Sequence, residues 1–259
     1  MELLIDSERN ARRDRPLRFP AKRAFASVVL DVDSTVCGID GIHWLASRRG
    51  DIVARRVAAL AAQAEDGSMP PEQVFAEQIG IIRPRRPDVD ELGRAYVASV
   101  APGCAEVLAM LRRAGVHIVL ASDSLRHALF PLATHLGVDS QDVYGVDIRF
   151  DAVGACTWVN RGSPLITPTG KRDFVEGLAL DGPVLAVGNS RTDREIRRAV
   201  DMFAAFTGFV TRADVVQGAD AAAASFVHVA SIALNRVVSP SELRSRNLSI
   251  PLPLIPTEP

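Results

Sequence analysis

Five short apolar runs are spaced along this chain of 259 residues, and helical patterns fill most of the gaps between them. The runs are FASVVLDV at 25–32, VHIVLA at 116–121, PVLAV at 183–187, MFAAF at 202–206 and FVHV at 226–229. They lack the strict apolar–polar alternation of a strand with one wet face, so each reads as a strand buried on both faces. A sixth segment, VYGVDIRF at 143–150, is more mixed and reads as a half-exposed strand. Between the runs lie CAEVLAMLRRAG, LRHALFPLATHLG, KRDFVEGLAL and SRTDREIRRAV, all with helical spacing, two of them stopping at Gly115 and Gly137. Strand and helix in alternation predict an α/β fold, a doubly wound parallel sheet with helices on both faces.

One interval breaks the alternation. From 41 to 100 the chain reads helical throughout, with no clear strand signal. Those helices either pack directly on the sheet or form an inserted helical cap just after the first strand; the absence of any strand favours the cap. The expected organisation is an N-terminal arm at 1–24, a core from 25–40 and 101–238, the helical cap at 41–100, and a Pro- and Ser-rich tail at 239–259. The segment VYGVDIRFDAVGACTWVN, 143–160, is hairpin-like and reads as a second flap.

Charge and composition narrow the partners. The formal net charge is −1, so there is no whole-chain basic field for nucleic acid or an anionic membrane. No apolar run approaches the ~20 residues that span a bilayer, and the N-terminus lacks the apolar core of a signal peptide. Cys37, Cys104 and Cys156 are odd in number and far apart, which fits a reduced, cytoplasmic setting. Nothing in the sequence fixes an oligomeric state.

In open parallel sheets, ligands bind at the carboxyl ends of the strands. Asp31 and Asp33 follow the first strand, Ser122 and Asp123 end the second run, and Asn189 and Asp193 follow PVLAV. Lys171 starts the helix before that strand, where a cation opposes the helix dipole and so points to function. Converging carboxylates with one lysine call for a hard cation, and Mg²⁺ prefers oxygen ligands and leaves room for a phosphate. An aspartate can then attack phosphorus. A second acid two residues on, on the same side of an extended chain, can protonate the leaving alcohol.

The order of these motifs, DVDSTV at 31–36, Ser122, Lys171 and GNSRTD at 188–193, resembles the haloacid dehalogenase superfamily. DVDSTVCGIDGI, the PGC turn at 102–104, LASDSLRHAL and the helical insertion look most like its phosphoserine phosphatase branch. The resemblance implies a Mg²⁺-dependent phosphomonoester hydrolase acting on a small phosphorylated metabolite. It casts Asp31 as nucleophile and metal ligand, and Asp33 as general acid/base and backbone-carbonyl ligand. Ser122 and Lys171, with Asp123 beside them, would hold the phosphoryl group. The fourth motif's metal ligand would fall on Asn189, with Asp193 supporting it at the metal. Asp40 would take the position of a glutamate near the substrate amine.

Three departures qualify this. The family has aspartate where Asn189 stands, so the site loses a charge. The branch has Ser-Gly-Gly where this chain has Ser122-Asp123-Ser124; Asp123 either narrows the pocket or turns away to cap the helix beginning near Leu125. The branch's cap arginine for the substrate carboxylate aligns with Gln78, which cannot form that bidentate charged pair. L-phosphoserine is therefore expected to be a poor substrate. The rivals are a phosphotransferase and a catalytically weakened binding protein on the same fold.

Overall fold

The computed structural model describes residues 24–244. The expected arm, but for Ala24, and the tail beyond residue 244 lie outside the described residues. The strands are β1 (Ser27–Leu30), β2 (His117–Leu125), β3 (Val143–Val146), β4 (Ile148–Phe150), β5 (Cys156–Val159), β6 (Val184–Gly188), β7 (Met202–Phe206) and β8 (Ala221–Ala223). The helices are α1 (Gly41–Ser47), α2 (Asp51–Asp66), α3 (Pro71–Ile82), α4 (Arg86–Ala98), α5 (Cys104–Arg113), α6 (Arg126–Leu136), α7 (Gly170–Gly177), α8 (Arg191–Ile196), α9 (Ala213–Gly218), α10 (Phe226–Ala233) and α11 (Pro240–Arg244). No helix among them is long and apolar enough to cross a membrane.

Six strands form one parallel sheet in the order β3-β2-β1-β6-β7-β8. The chain winds outward from β1 through β2 to β3, then returns to the other side of β1 and runs on to β8. The strand order thus reverses at β1, the place where α/β sheets open a crevice. Successive side chains of the central strands enter opposite cores. Val28, Leu30, Ile118, Leu120, Leu185 and Val187 share one cluster, while Val29, Val119, Ala186 and Phe203 share the other. This two-sided burial is why the strands read as apolar runs.

The fifth run is different. Residues 226–229 begin helix α10, and the last strand is the alanine triplet of β8. The Ser225 hydroxyl accepts from the His228 amide at 3.4 Å, and Phe226, Val229, Ala230 and Ala233 are buried at helical spacing. A four-residue apolar run fits a buried helical turn as well as a strand. The 143–150 segment also divides: β3 edges the sheet, whereas β4 pairs antiparallel with β5 as a separate hairpin.

Helices α1 to α4 all lie between β1 and β2 in the chain. Val57, Phe75, Ile79, Val89 and Leu92 from this insertion belong to the same continuous cluster as Leu30, Leu120, Leu129 and Leu132. Helix α4 lies closely on α6, where a Cβ at Gly93 would press on Pro131 and the Ala128 carbonyl. The β4–β5 hairpin meets the insertion through an antiparallel bridge between Arg85 and Ala155, and Arg85 Nη2 donates to the Val153 carbonyl at 3.0 Å. Within the span expected to be tail, α11 is helical and Leu243 is buried, its helix packed near α5.

Candidate active site

Sheet register builds the site. Leu30 is level with Leu120 of β2 and with Val187 of β6, so the residues that follow emerge together at the carboxyl edge. Asp31 stays tied to β6, its amide donating to the Val187 carbonyl at 3.0 Å. Lys171, in the first turn of α7, is only 1% exposed. Its Nζ donates to Asp31 Oδ1 at 2.8 Å and to Asp193 Oδ1 at 2.9 Å. Burying an ammonium there is costly unless paired, and the two carboxylates supply the pairing. Asp193 is fixed by the capping box of α8: its Oδ2 accepts from the Asn189 amide (3.0 Å), the Ser190 amide (2.8 Å) and the Ser190 hydroxyl (2.6 Å). Gly188 must be glycine because a Cβ would overlap Asp193.

The charge is not balanced. Asp31 is pushed up to about 7, by burial first and then by the charge of Asp193, with Lys171 pulling the other way. Asp33 is raised well above the usual carboxylate range by burial and by the charges of Asp40, Asp123 and Asp31. Burial and the acids around it raise Asp123 as well, against the pull of Lys171. Burial opposes the charge on Lys171, yet Asp193, Asp31 and Asp123 outweigh it and hold its proton tightly. One lysine is shared among several acids, so the lysine gains more than any single acid does.

The structure brings Asp31, Lys171 and Asp193 into direct contact, with Asp33 beside them. Ser122 is fully buried, and its hydroxyl oxygen accepts from the Ser124 amide at 3.0 Å, which leaves its hydrogen to donate. Asp123 does not cap α6: that helix begins after Leu125 with no side-chain cap. Asp40 caps α1, accepting from the His43 amide at 2.9 Å and pairing with His43 Nδ1 at 3.1 Å. Burial alone would raise its carboxyl, but the bonds and charge of His43 lower it. Gln78 is buried inside the insertion, its Nε2 donating to the Val57 carbonyl at 3.1 Å. Its amide nitrogen thus joins α3 to α2. Of the nearby arginines, Arg48 pairs with Glu91 at 2.9 Å, and Arg49 is held by Asp88 and the Ile82 carbonyl.

Sequence reasoning assigned no role to Thr35, whose hydroxyl donates to Asp31 Oδ2 at 3.2 Å, although it stands in the DVDSTV motif. It also missed Tyr96, at the end of α4, and the Gly41 amide; both donate to Asp33. Neither carries a local signal, because each meets Asp33 only through the fold.

The donors around Asp31 fit a hard cation. Among the described residues no three His, Cys, Asp or Glu side chains gather as metal ligands, so a cation here would draw on mixed oxygens. Asn189 is oriented by its Nδ2, which donates to the Ser34 carbonyl at 3.1 Å, so its amide oxygen is the end that would ligate a cation. With the Asp31 carboxylate and the Asp33 carbonyl, this makes an oxygen set suited to Mg²⁺. Asp193 does not fit as a ligand. Its oxygens already take the lysine and three capping donors, about as many as a carboxylate accepts. It supports the site from behind.

The family model for haloacid dehalogenase-like hydrolase matches residues 28–198. The chain is 28% identical over 203 residues to a chloroplastic phosphoserine phosphatase of Arabidopsis thaliana, covering 76% of this chain and 68% of that one. It is 27% identical over 206 residues to the phosphoserine phosphatase of Bos taurus, covering 78% and 91% respectively. In structure it resembles a phosphoserine phosphohydrolase-like protein from Francisella tularensis, with a TM-score of 0.71 at 18% identity over 80% of this chain and 98% of that one. A phospho-aspartyl intermediate analogue of phosphoserine phosphatase superposes with a TM-score of 0.62 at 20% identity over 79% and 95%. At these identities the structural likenesses speak for the fold.

Proposed function

The chain belongs to the haloacid dehalogenase-like hydrolases, and from that premise we propose that it is a Mg²⁺-dependent phosphatase working through an aspartyl-phosphate on Asp31. The observation that carries this reading is the buried Lys171, held between Asp31 and Asp193 at the carboxyl edge, with a second carboxyl at Asp33 two residues on. Asp31 Oδ attacks phosphorus while the bond from phosphorus to the leaving oxygen breaks. Asp33 gives that oxygen a proton, so an alcohol departs and a phosphoryl group stays on Asp31. Asp33, now a carboxylate, then takes a proton from water, which attacks phosphorus and frees Asp31 and inorganic phosphate. Lys171 and the Ser122 hydroxyl donate to the phosphoryl oxygens throughout. Bound Mg²⁺, held by Asp31, the Asp33 carbonyl and Asn189, would offset the repulsion between carboxylate and phosphate.

The substrate class is a small phosphomonoester without a strict requirement for a carboxylate. Gln78 supports this because a neutral amide cannot form the bidentate charged pair, and Arg48 and Arg49 because each already holds a carboxylate. Phosphate release from 4-nitrophenyl phosphate, with and without Mg²⁺, tests the reaction. Metal-dependent release that vanishes in Asp31→Asn supports it. No release at saturating Mg²⁺ would overturn it in favour of a binding protein on this fold.

A further inference from the structure

Asp33 Oδ1 is held from both ends of the inserted helices. At the entry, the amide of Gly41, first residue of α1, donates to it at 3.0 Å. At the exit, the hydroxyl of Tyr96, in the last turn of α4, lies 2.6 Å from the same oxygen. Tyr96 is wholly buried, and its hydroxyl also lies 2.7 Å from Ser124 Oγ. A phenol has one proton. With that proton given to the Asp33 carboxylate, the Ser124 hydroxyl donates to the tyrosine oxygen. The Ser124 amide in turn donates to Ser122 Oγ at 3.0 Å. A continuous chain of groups therefore runs from Ser122 through Ser124 and Tyr96 to Asp33. The packing around it is specific: a Cβ at Gly41 would overlap both Tyr96 Oη and Ser124 Oγ.

We infer that Tyr96 is a positioning residue for Asp33, with Ser124 as the group that holds its hydroxyl in place. Two donors on Oδ1 restrict rotation of the carboxyl and leave Oδ2 as the oxygen that meets the leaving group. A donor misplaced by an ångström loses much of its effect. This inference rests on the phosphatase reading above.

The test compares kcat/KM for 4-nitrophenyl phosphate, whose leaving group needs little protonation, with that for phenyl phosphate, whose leaving group needs it more. All assays use the full chain with Mg²⁺. Tyr96→Phe is expected to lose about tenfold on phenyl phosphate and to stay within about twofold on 4-nitrophenyl phosphate, a modest part of what a general acid contributes. Equal losses on both esters, or no loss on either, would overturn the inference while leaving the phosphatase reading intact. Absence of Mg²⁺-dependent turnover in the unmodified chain, or its survival in Asp31→Asn, would overturn both. Should Tyr96→Phe show no cooperative unfolding, Ser124→Ala takes its place. It keeps the tyrosine and the amide bond to Ser122, and a leaving-group-dependent loss of about threefold is expected, with an equal loss on both esters again overturning the inference.

Discussion

At the scale of single residues, the site is a carboxylate cluster short of positive charge, and this gives it a pH dependence. Asp31 sits at about 7 against an ordinary 3.8, so between those values the folded chain holds a proton that the unfolded chain releases. Stability of the metal-free protein therefore falls as pH rises from about 4 to about 7. Asp31→Asn removes the titrating group and leaves Lys171 paired with Asp193. Without metal at pH 8, the variant is expected to melt at or above the temperature of the unmodified protein, while its phosphatase turnover falls by at least about a thousandfold. A variant that melts clearly lower would count against the charge imbalance. Asn189 makes a second case. An aspartate there would restore a ligand charge but set a carboxylate against the Ser34 carbonyl that now accepts from Nδ2. Asn189→Asp should bind Mg²⁺ more tightly, by titration calorimetry, and melt lower without it; unchanged affinity would argue against Asn189 as a ligand.

At the scale of elements, the insertion's helices are placed by glycines and closely set side chains. At position 41 an added methyl group meets Tyr96 and Ser124, and overpacking of this kind costs about 1–3 kcal/mol. Gly41→Ala should lower stability by about that much in urea unfolding, and Tyr96→Phe should restore part of it by removing the oxygen the methyl overlaps. Strict additivity of the two would mean that they do not share this contact. In the inserted helices Gln78 of α3 is neutral and bonded to α2, and Arg49, before α2, is already tethered. L-phosphoserine is accordingly expected to show a kcat/KM well below that of its best non-carboxylate ester in a substrate panel. A preference for phosphoserine over all others would refute it. Elements also mark how far the sequence could be read. Four central strands were legible because burial on both faces leaves an apolar run of fixed length. The run at 226–229 was misassigned because one helical turn and one short strand have the same composition, and β8 was invisible because three alanines carry no pattern. That Asp31, Lys171 and Asp193 meet at one edge was legible from their order along the chain. The role of Tyr96 was not, since it depends on where α4 comes to rest.

At the scale of the whole molecule, the insertion and the sheet share one apolar cluster, from Val57 and Phe75 to Leu132 and Phe226. A shared core couples the two in unfolding. Differential scanning calorimetry should give a single transition whose calorimetric and van't Hoff enthalpies agree; two resolved transitions would show the insertion melting alone. The long reach of the site's contacts bears on biosynthesis. Lys171 meets Asp31 across 140 residues, and Asn189 meets Ser34 across 155. On the ribosome, the first strand and its acids emerge long before the lysine that pairs with Asp31. Until then the nascent chain carries an unpaired acidic edge, and the central position beside β1 waits for β6. Any messenger cut short before that point would yield a chain with Asp31 but without the lysine that pairs with it.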